Sequence, residues 1–281
     1  MPSFYHHLDL GEFTLKDGPH PERARRDAEV LLTHTLKRSH TRLLAHGDEL
    51  LSDELFLSYT ELLARRRRGE PIQYITGETE FYGLPVCVTP DVLIPRPETE
   101  HLAEKVIELA ARFKQPRIVD VGTGSGAIAV ALAHKLPHAK ITATDICPRA
   151  LAVAKINAKQ NGVDIRFLTG DLLAPVDRER FEIVASNPPY VPNGDRATLS
   201  VEVREYEPGL ALFAGDDGLD VYRRLIPDAF DALVPGGFVA FEIGYGQSKA
   251  IAELLAGSGF AQIEFLPDLQ NIPRVACAQR P

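Results

Sequence analysis

The stretch Ser186-Asn187-Pro188-Pro189-Tyr190 concentrates residue types with which a protein can grip a flat, nitrogen-bearing group. Asn187 offers a side-chain carbonyl acceptor and Tyr190 an aromatic face. Pro188 and Pro189 remove two backbone donors and fix φ at both positions, so the segment is stiff and its carbonyls lack competing local turns. The result is a rigid row of acceptors beside a flat platform, suited to a planar NH2 group. The nitrogen of an amide or aryl amine has its lone pair delocalised and is a poor nucleophile. Accepting hydrogen bonds from both its N–H groups fixes its plane and supports positive charge developing on nitrogen. Holding it in line with an electrophilic carbon makes the displacement effectively unimolecular, worth up to about 7–11 kcal/mol in well-oriented systems. No strong base is needed beforehand, because the departing proton grows acidic as the bond forms. Taken alone, Asn-Pro-Pro also fits a plain turn with Asn as its first residue. Its place at a strand end, two strands after a glycine-rich loop, favours the chemical reading.

That loop is Val119-Asp120-Val121-Gly122-Thr123-Gly124-Ser125-Gly126-Ala127. Its glycines let the backbone turn sharply and approach a ligand with no Cβ in the way. The helix that follows presents unpaired N–H groups to an anion or polar group. Asp145 ends the next strand, where its carboxylate can accept from both hydroxyls of a ribose. Gly122, Gly124 and Ala127 also fit the dinucleotide pattern, with Asp145 near the distance expected of a ribose acid. From the loop alone a nicotinamide or flavin enzyme and a methyltransferase fit equally, and a turn that binds nothing fits less well. Gly126, a third glycine, leans toward the methyltransferase.

The elements that position these residues change character along the chain. The first seventy residues read as helices forming a small bundle. Pro21 suits a first helical position ahead of Ala24, Ala28, Leu31, Leu32 and Leu36, at spacings of three and four. Ser52 reads as an N-cap with Leu51 and Phe56 as a hydrophobic staple, and Leu55, Tyr59, Leu62 and Leu63 as the buried stripe. Residues 71–97 are punctuated by glycine and proline, and Thr79–Tyr82 and Pro85–Thr89 are predicted to pair as a hairpin around Gly83-Leu84. A helix from near Pro97 uses Leu102, Val106, Leu109 and Phe113 as its inner face.

From residue 117 strands and helices alternate. Strands are expected at Arg117–Val121, Lys140–Thr144, Asp164–Thr169, Phe181–Ser186, Gly237–Ile243, Ala261–Leu266 and Arg274–Ala278. A loop is expected from Ser186 to about Gly218. The alternation predicts an α/β sheet, mostly parallel and covered by helices on both faces, with ligands outside the carboxyl ends of its strands. The division expected is therefore 1–70, a hairpin linker 71–97, and a sheet domain 98–281.

Composition sets the wider limits. The chain has 281 residues with a net charge of -8, so it lacks the positive surplus that duplex binding usually requires. No apolar run approaches the roughly 18 residues of a membrane helix, and the start lacks the pattern of a secretory signal. The three cysteines, Cys87, Cys147 and Cys277, show neither disulfide-framework nor zinc spacing. The expected setting is cytoplasmic, with no metal and no membrane. The basic run Arg65-Arg66-Arg67-Arg68 reads first as dipole-favourable charge ending a helix, ahead of a nucleic-acid or ribosome contact. The histidines near the start give no convincing metal set. Glu242 reads as a hydrogen-bonding wall residue before it reads as a base, and Ser39–His46 offers no nucleophile–base arrangement that can be judged.

The set Gly122–Gly126, Asp145 and Asn187-Pro188-Pro189-Tyr190 resembles a class I S-adenosylmethionine-dependent methyltransferase acting on a planar nitrogen. Two branches share the Asn-Pro-Pro-Tyr motif, adenine-N6 DNA methyltransferases and protein-glutamine methyltransferases. Gln73-Tyr74-Ile75-Thr76-Gly77, Phe81-Tyr82-Gly83 and Ile94-Pro95-Arg96-Pro97-Glu98-Thr99-Glu100 are similar to the peptide chain release factor glutamine methyltransferases. The resemblance runs through nearly the whole chain, the acidic loop Glu202–Gly218 and Pro235-Gly236-Gly237 included, and is weakest over the first fifty residues.

This resemblance implies a helical N-terminal domain that docks substrate, a hairpin linker, and a Rossmann-like, seven-stranded, mostly parallel sheet whose last two strands form an antiparallel edge. It implies methyl transfer from S-adenosyl-L-methionine to N5 of the glutamine in the Gly-Gly-Gln motif of class 1 release factors. Separately, the chain is expected to be a monomer. Gly122, Thr123, Gly124, Ser125 and Gly126 would line the methionine end of the cofactor, with Asn187 beside them. Asp145 would take the ribose, Asp171 and Leu172 would flank the adenine, and Asn187, Pro188, Pro189 and Tyr190 would grip the substrate amide. Some relatives carry an aromatic residue where Leu172 stands. A ribosomal-protein glutamine methyltransferase and an adenine-N6 nucleic-acid methyltransferase are the alternatives. Arg96, Glu98 and Glu100 match by position and read as helix entry and a surface ion pair.

Overall fold

A computed structural model describes residues 3–38, 40–46 and 48–281, without the side chains of His40, Arg42 and Leu44; Ser39 lies outside the described residues. The chain forms two compact units. One comprises the described residues up to Gly77 together with Leu199–Tyr206, and the other comprises Glu78–Thr198 and Glu207–Pro281. The division thus falls at Gly77 rather than at residue 70, and the hairpin belongs with the sheet.

The first unit contains α1 (Phe4–Lys16), α2 (Ala24–Leu36), α3 (His40–Ala45), α4 (Asp53–Arg67) and α5 (Ile72–Thr76). Pro21 starts a short 3-10 turn that leads into α2 rather than the α-helix itself. Ser52 caps α4 by accepting from the Leu55 N–H. Leu8, Leu15, Ala28, Leu31, Leu32, Leu51, Tyr59 and Leu63 make one apolar core, with Leu55, Phe56 and Leu62 half-buried against it.

The arginine run at the end of α4 is bound into this unit. Arg66 is buried; its Nε donates to Asp27 of α2 at 2.6 Å and its Nη1 donates to Glu202 and to the Glu70 carbonyl. Arg65 pairs with Glu70, and Arg67 with Asp17. Three of the four charges are therefore met by carboxylates, more than a helix-end dipole requires.

In the second unit β1 (Glu78–Phe81) and β2 (Leu84–Cys87) form the hairpin. Its two-residue turn is Tyr82-Gly83, one residue earlier than expected. Both residues have positive φ, 56° and 74°, the combination that matches strand twist in tight hairpins. The main elements follow: α6 (Glu100–Ala110), β3 (Arg117–Val121), α7 (Ala127–Lys135), β4 (Lys140–Asp145), α8 (Pro148–Gln160), β5 (Arg166–Thr169) and β6 (Phe181–Ser186). After α9 (Val201–Tyr206), which belongs to the first unit, come α10 (Asp220–Ala232), β7 (Leu233–Glu242), α11 (Ser248–Gly257), β8 (Ala261–Pro267) and β9 (Pro273–Gln279).

The sheet order is β5-β4-β3-β6-β7-β9-β8, parallel except for β9, which pairs antiparallel with both neighbours. Val119, Val121, Val184, Val239 and Phe241 face α10 and α11 in one core, joined by Tyr222, Leu225, Ile226, Ile251 and Leu255. The strand positions between them are buried too, as expected of a sheet covered on both faces, with α6, α7 and α8 packed in a row on the other side.

Three expectations need correction. Phe113 lies beyond α6 and meets Phe238 edge-on at 6.3 Å instead of lining the helix. The stretch from Ser186 to Gly218 is not one irregular loop; it carries α9 and two 3-10 turns. β7 starts at Leu233, four residues before Gly237, because α10 ends without a linker.

Candidate active site

A cavity of about 360 Å³ opens at the carboxyl ends of β3, β4 and β6. Gly122, Thr123, Gly124, Ser125, Asp145, Asp171, Leu172, Asn187 and Pro189 all line it. Three of the residues predicted for the site, Gly126, Pro188 and Tyr190, do not.

The glycine loop is held from its back. The Gly122 and Thr123 N–H groups both donate to the Thr144 carbonyl on β4, at 2.9 and 3.0 Å. Gly122, Gly124 and Gly126 all have positive φ, and a Cβ built on Gly122 or Gly124 would meet nothing within 4 Å. Their open sides face space that a ligand can fill. Gly126 is different: a Cβ there would stand 2.9 Å from Cβ of Ala154 on α8, so this glycine allows α7 and α8 to meet. Asn157, buried on α8, ties the Ser125 carbonyl to β2, since its amide donates to Ser125 and Cys87 carbonyls and its oxygen accepts from the Cys87 N–H. Only a polar residue on an otherwise apolar helical stripe could have signalled Asn157 in the sequence.

Two carboxyl groups sit under this loop. Asp145 Oδ2 accepts from the Gly124 N–H and Oδ1 from the Cys147 N–H, each at 2.8 Å. Burial raises its pKa against those two bonds. Each oxygen keeps a second lone pair with which it can accept from a ligand hydroxyl. Asp120, completely buried, accepts from the Thr123 hydroxyl at 2.6 Å. Burial pushes its pKa up to about 7, with the nearby Asp145 charge adding to the shift.

At the far end of the cavity, Leu172 adopts φ 47°, its carbonyl accepting from the Thr144 hydroxyl at 2.9 Å. Its side chain packs partly against the sheet core, and Asp171 is paired with Arg224 of α10. Both residues border the cavity, but the Asp171 carboxylate already has a partner.

The proline segment leaves β6 anchored at its first residue: the Ser186 hydroxyl donates to the Val121 carbonyl at 2.7 Å, beside Gly122. Pro188 is buried behind the wall. The Asn187 amide Nδ2 donates to Thr99 Oγ1 at 3.2 Å, and no partner among the described residues engages its Oδ1. Tyr190 turns away from the cavity; its ring packs against the sheet core and its hydroxyl donates to Glu242 Oε1 at 3.3 Å. Burial and the Glu242 charge push that phenol's pKa up. The Tyr190 carbonyl accepts from Gln247 Nε2 at 3.0 Å. Glu242 closes β7 and is buried. Its Oε2 accepts from the Thr99 hydroxyl at 2.6 Å, and burial raises its pKa against both hydroxyl bonds.

The Arg96–Glu100 stretch wraps this segment. Arg96 Nη2 donates to both oxygens of buried Glu207, at 2.6 and 2.7 Å, in the chain that follows α9. Thr99 reaches Asn187 and Glu242, and Glu100 accepts from the Tyr82 N–H of the hairpin turn at 2.8 Å. The expected surface ion pair is therefore a half-buried clamp. Thr99, not singled out in the sequence, is its innermost member. Among the described residues no cluster of three or more His, Cys, Asp or Glu is placed to hold a metal ion, and no helix is long and apolar enough to cross a membrane.

Comparison with known proteins places this arrangement. The model of the methyltransferase small domain matches residues 99–203, and that of the PrmC N-terminal domain matches residues 8–77. A methyltransferase structure from Pyrococcus furiosus shares the fold at a TM-score of 0.52 and 20% identity, over 71% of this chain and 90% of that one. The release factor glutamine methyltransferase of Moorella thermoacetica is 44% identical over 92% of both chains. That of Koribacter versatilis is 41% identical over 94% of this chain and 93% of its own. Likeness of this degree over nearly the full length, with glycine loop and proline segment at one cavity, shows that the chain belongs to the release factor glutamine methyltransferase family.

Proposed function

We propose that this protein methylates N5 of the glutamine in the Gly-Gly-Gln motif of class 1 peptide chain release factors, using S-adenosyl-L-methionine, and so supports translation termination. One observation carries the reading: the unengaged Asn187 Oδ1, whose amide partner is tied back to Thr99, stands on the wall of the cavity that the glycine loop also lines.

The cofactor fits the residues present. Open space over Gly122 and Gly124 accepts the amino-acid end without a Cβ in the way, with Thr123, Ser125 and Gly126 completing the loop. Asp145 retains lone pairs for the ribose, and Leu172 offers an aliphatic rather than a stacking surface to the adenine, with Asp171 beside it. When bound, S-adenosyl-L-methionine supplies a methyl group on a positively charged sulfur, an electrophile that needs no prior activation.

The protein's own residues orient the nucleophile. Asn187 Oδ1 accepts an N–H of the glutamine amide, while Pro188, buried behind the wall, stiffens the segment that aims this acceptor, which orients the plane of the group and directs the nitrogen lone pair toward the cofactor. As positive charge builds on nitrogen this acceptor binds more strongly and the barrier falls for that reason, and the amide proton made acidic by the new bond leaves to water. Pro189 lines the wall beside the amide, and Tyr190 braces the segment through Glu242.

The helical first unit docks the release factor, and the protein works as a cytoplasmic monomer without nucleic acid as substrate. The paired state of Arg65, Arg66 and Arg67 supports this, because it leaves Arg68 alone of the four for a phosphate backbone. Incubating a release factor with enzyme and cofactor, followed by peptide mapping, tests the proposal. The expected result is a gain of one methylene confined to the Gly-Gly-Gln peptide and lost when that glutamine is alanine. Label in RNA, or in a ribosomal protein alone, would overturn it.

A further inference from the structure

We infer that Thr99, held by Glu242, is a positioning residue that sets which end of the Asn187 carboxamide faces the substrate; the inference rests on the functional reading above. A carboxamide is nearly symmetric in shape, and turning it over exchanges an acceptor for a donor. An Asn187 presenting NH2 would repel a substrate amide N–H instead of binding it. Something must therefore select one orientation.

Proton counting along the chain of bonds makes that selection. A carboxylate only accepts, so the single proton of the Thr99 hydroxyl is committed to Glu242 Oε2, at 2.6 Å. Thr99 Oγ1 is left with lone pairs alone toward Asn187, and only the Nδ2 end can satisfy them, as observed at 3.2 Å. Oδ1 is thereby turned outward. The other Glu242 oxygen accepts a hydrogen bond from the Tyr190 hydroxyl, so the same carboxylate fixes both ends of the Asn187–Tyr190 segment.

Burial gives the chain its strength. Thr99 is 4% exposed and Glu242 3%, so water does not compete for these bonds and reversal would leave a buried donor or acceptor unmet. Glu242 is tied into the segment at both ends. Both of its oxygens are occupied by hydroxyl donors supplied by the protein itself.

Four variants test it: Thr99→Val, which keeps the shape and removes the hydroxyl; Thr99→Ser, which restores the hydroxyl; Asn187→Ala; and Asn187→Ala combined with Thr99→Val. Methyl transfer to the release factor is followed under single turnover, and cofactor affinity by calorimetry. Thr99→Val is expected to lower the rate by about 10- to 100-fold with cofactor affinity unchanged, a loss confined to the bonds made to the reacting amide. Thr99→Ser should return it to within about threefold. In the Asn187→Ala background Thr99→Val should add nothing, because the residue through which it acts is gone. Thr99→Val at the wild-type rate, or a loss that multiplies with that of Asn187→Ala, would overturn the inference while leaving the activity standing. Should Thr99→Val not fold, Thr99→Ala is read by the same two criteria. Wild-type enzyme that methylates no glutamine would overturn the functional reading and this inference together.

Discussion

At the scale of single residues the site separates binding of the nucleophile from binding of the cofactor. Asn187→Ala is expected to lower kcat by about 10²- to 10³-fold, the typical loss for one preorganised hydrogen-bonding group, with little change in cofactor affinity. Rate and calorimetric measurements on the same preparation check that split. Asp120 gives a prediction of a different kind. Its pKa in the folded protein is raised to about 7 by burial, far above that of the unfolded chain. Between about pH 4 and 7 the unfolded state therefore releases a proton that the folded state retains, so the contribution of Asp120 to stability falls as pH rises through that window. Asp120→Asn removes this titration. Urea unfolding at pH 5 and pH 8 should show the wild type losing about 2–3 kcal/mol more than the variant across that interval, because about two units of the difference lie above pH 5.

At the scale of elements the three loop glycines are not equivalent. A side chain at φ of 55° costs about 1–2 kcal/mol, so Gly124→Ala should leave the protein folded and weaken cofactor binding by filling the open space above the loop. Gly126→Ala adds a collision with Ala154 and should lower the melting temperature further than Gly124→Ala does. Thermal unfolding with and without cofactor distinguishes the two effects. The glycine loop, Asp145 and the Asn187–Tyr190 segment were legible in the sequence because each is a contiguous string whose chemistry follows from local spacing. The alternation of strands and helices was legible for the same reason, through periodicity. Thr99 was not, since it stands 88 residues from Asn187 and 143 from Glu242, and only the folding of the sheet brings the three together. Tyr190 was read as a flat platform, and the structure packs its ring against the sheet core. Its aromatic character was evident, but which face of the segment it occupied depended on a partner on β7.

At the scale of the whole molecule, α9 is the element that no periodicity announced. It is one short turn of helix in sequence terms, yet it belongs to the compact unit formed by the described residues up to Gly77. Arg66 connects it there, reaching Asp27 and Glu202 at once. Glu202→Ala leaves this buried guanidinium with one carboxylate and should destabilise the first unit by about 1–3 kcal/mol. Arg66→Met should cost more than Glu202→Ala, and the double variant should recover nothing, because either leaves the buried Asp27 carboxylate without its partner. Chemical denaturation of the single and double variants measures both.

Because Glu202 follows Arg66 by 136 residues, the ribosome delivers the partner long after the guanidinium has emerged. Until then the earliest-made helices hold Arg66 against Asp27 and no second carboxylate. Vectorial synthesis therefore cannot complete the first unit from its own early residues, and its finishing contact is set by a helix made long afterwards.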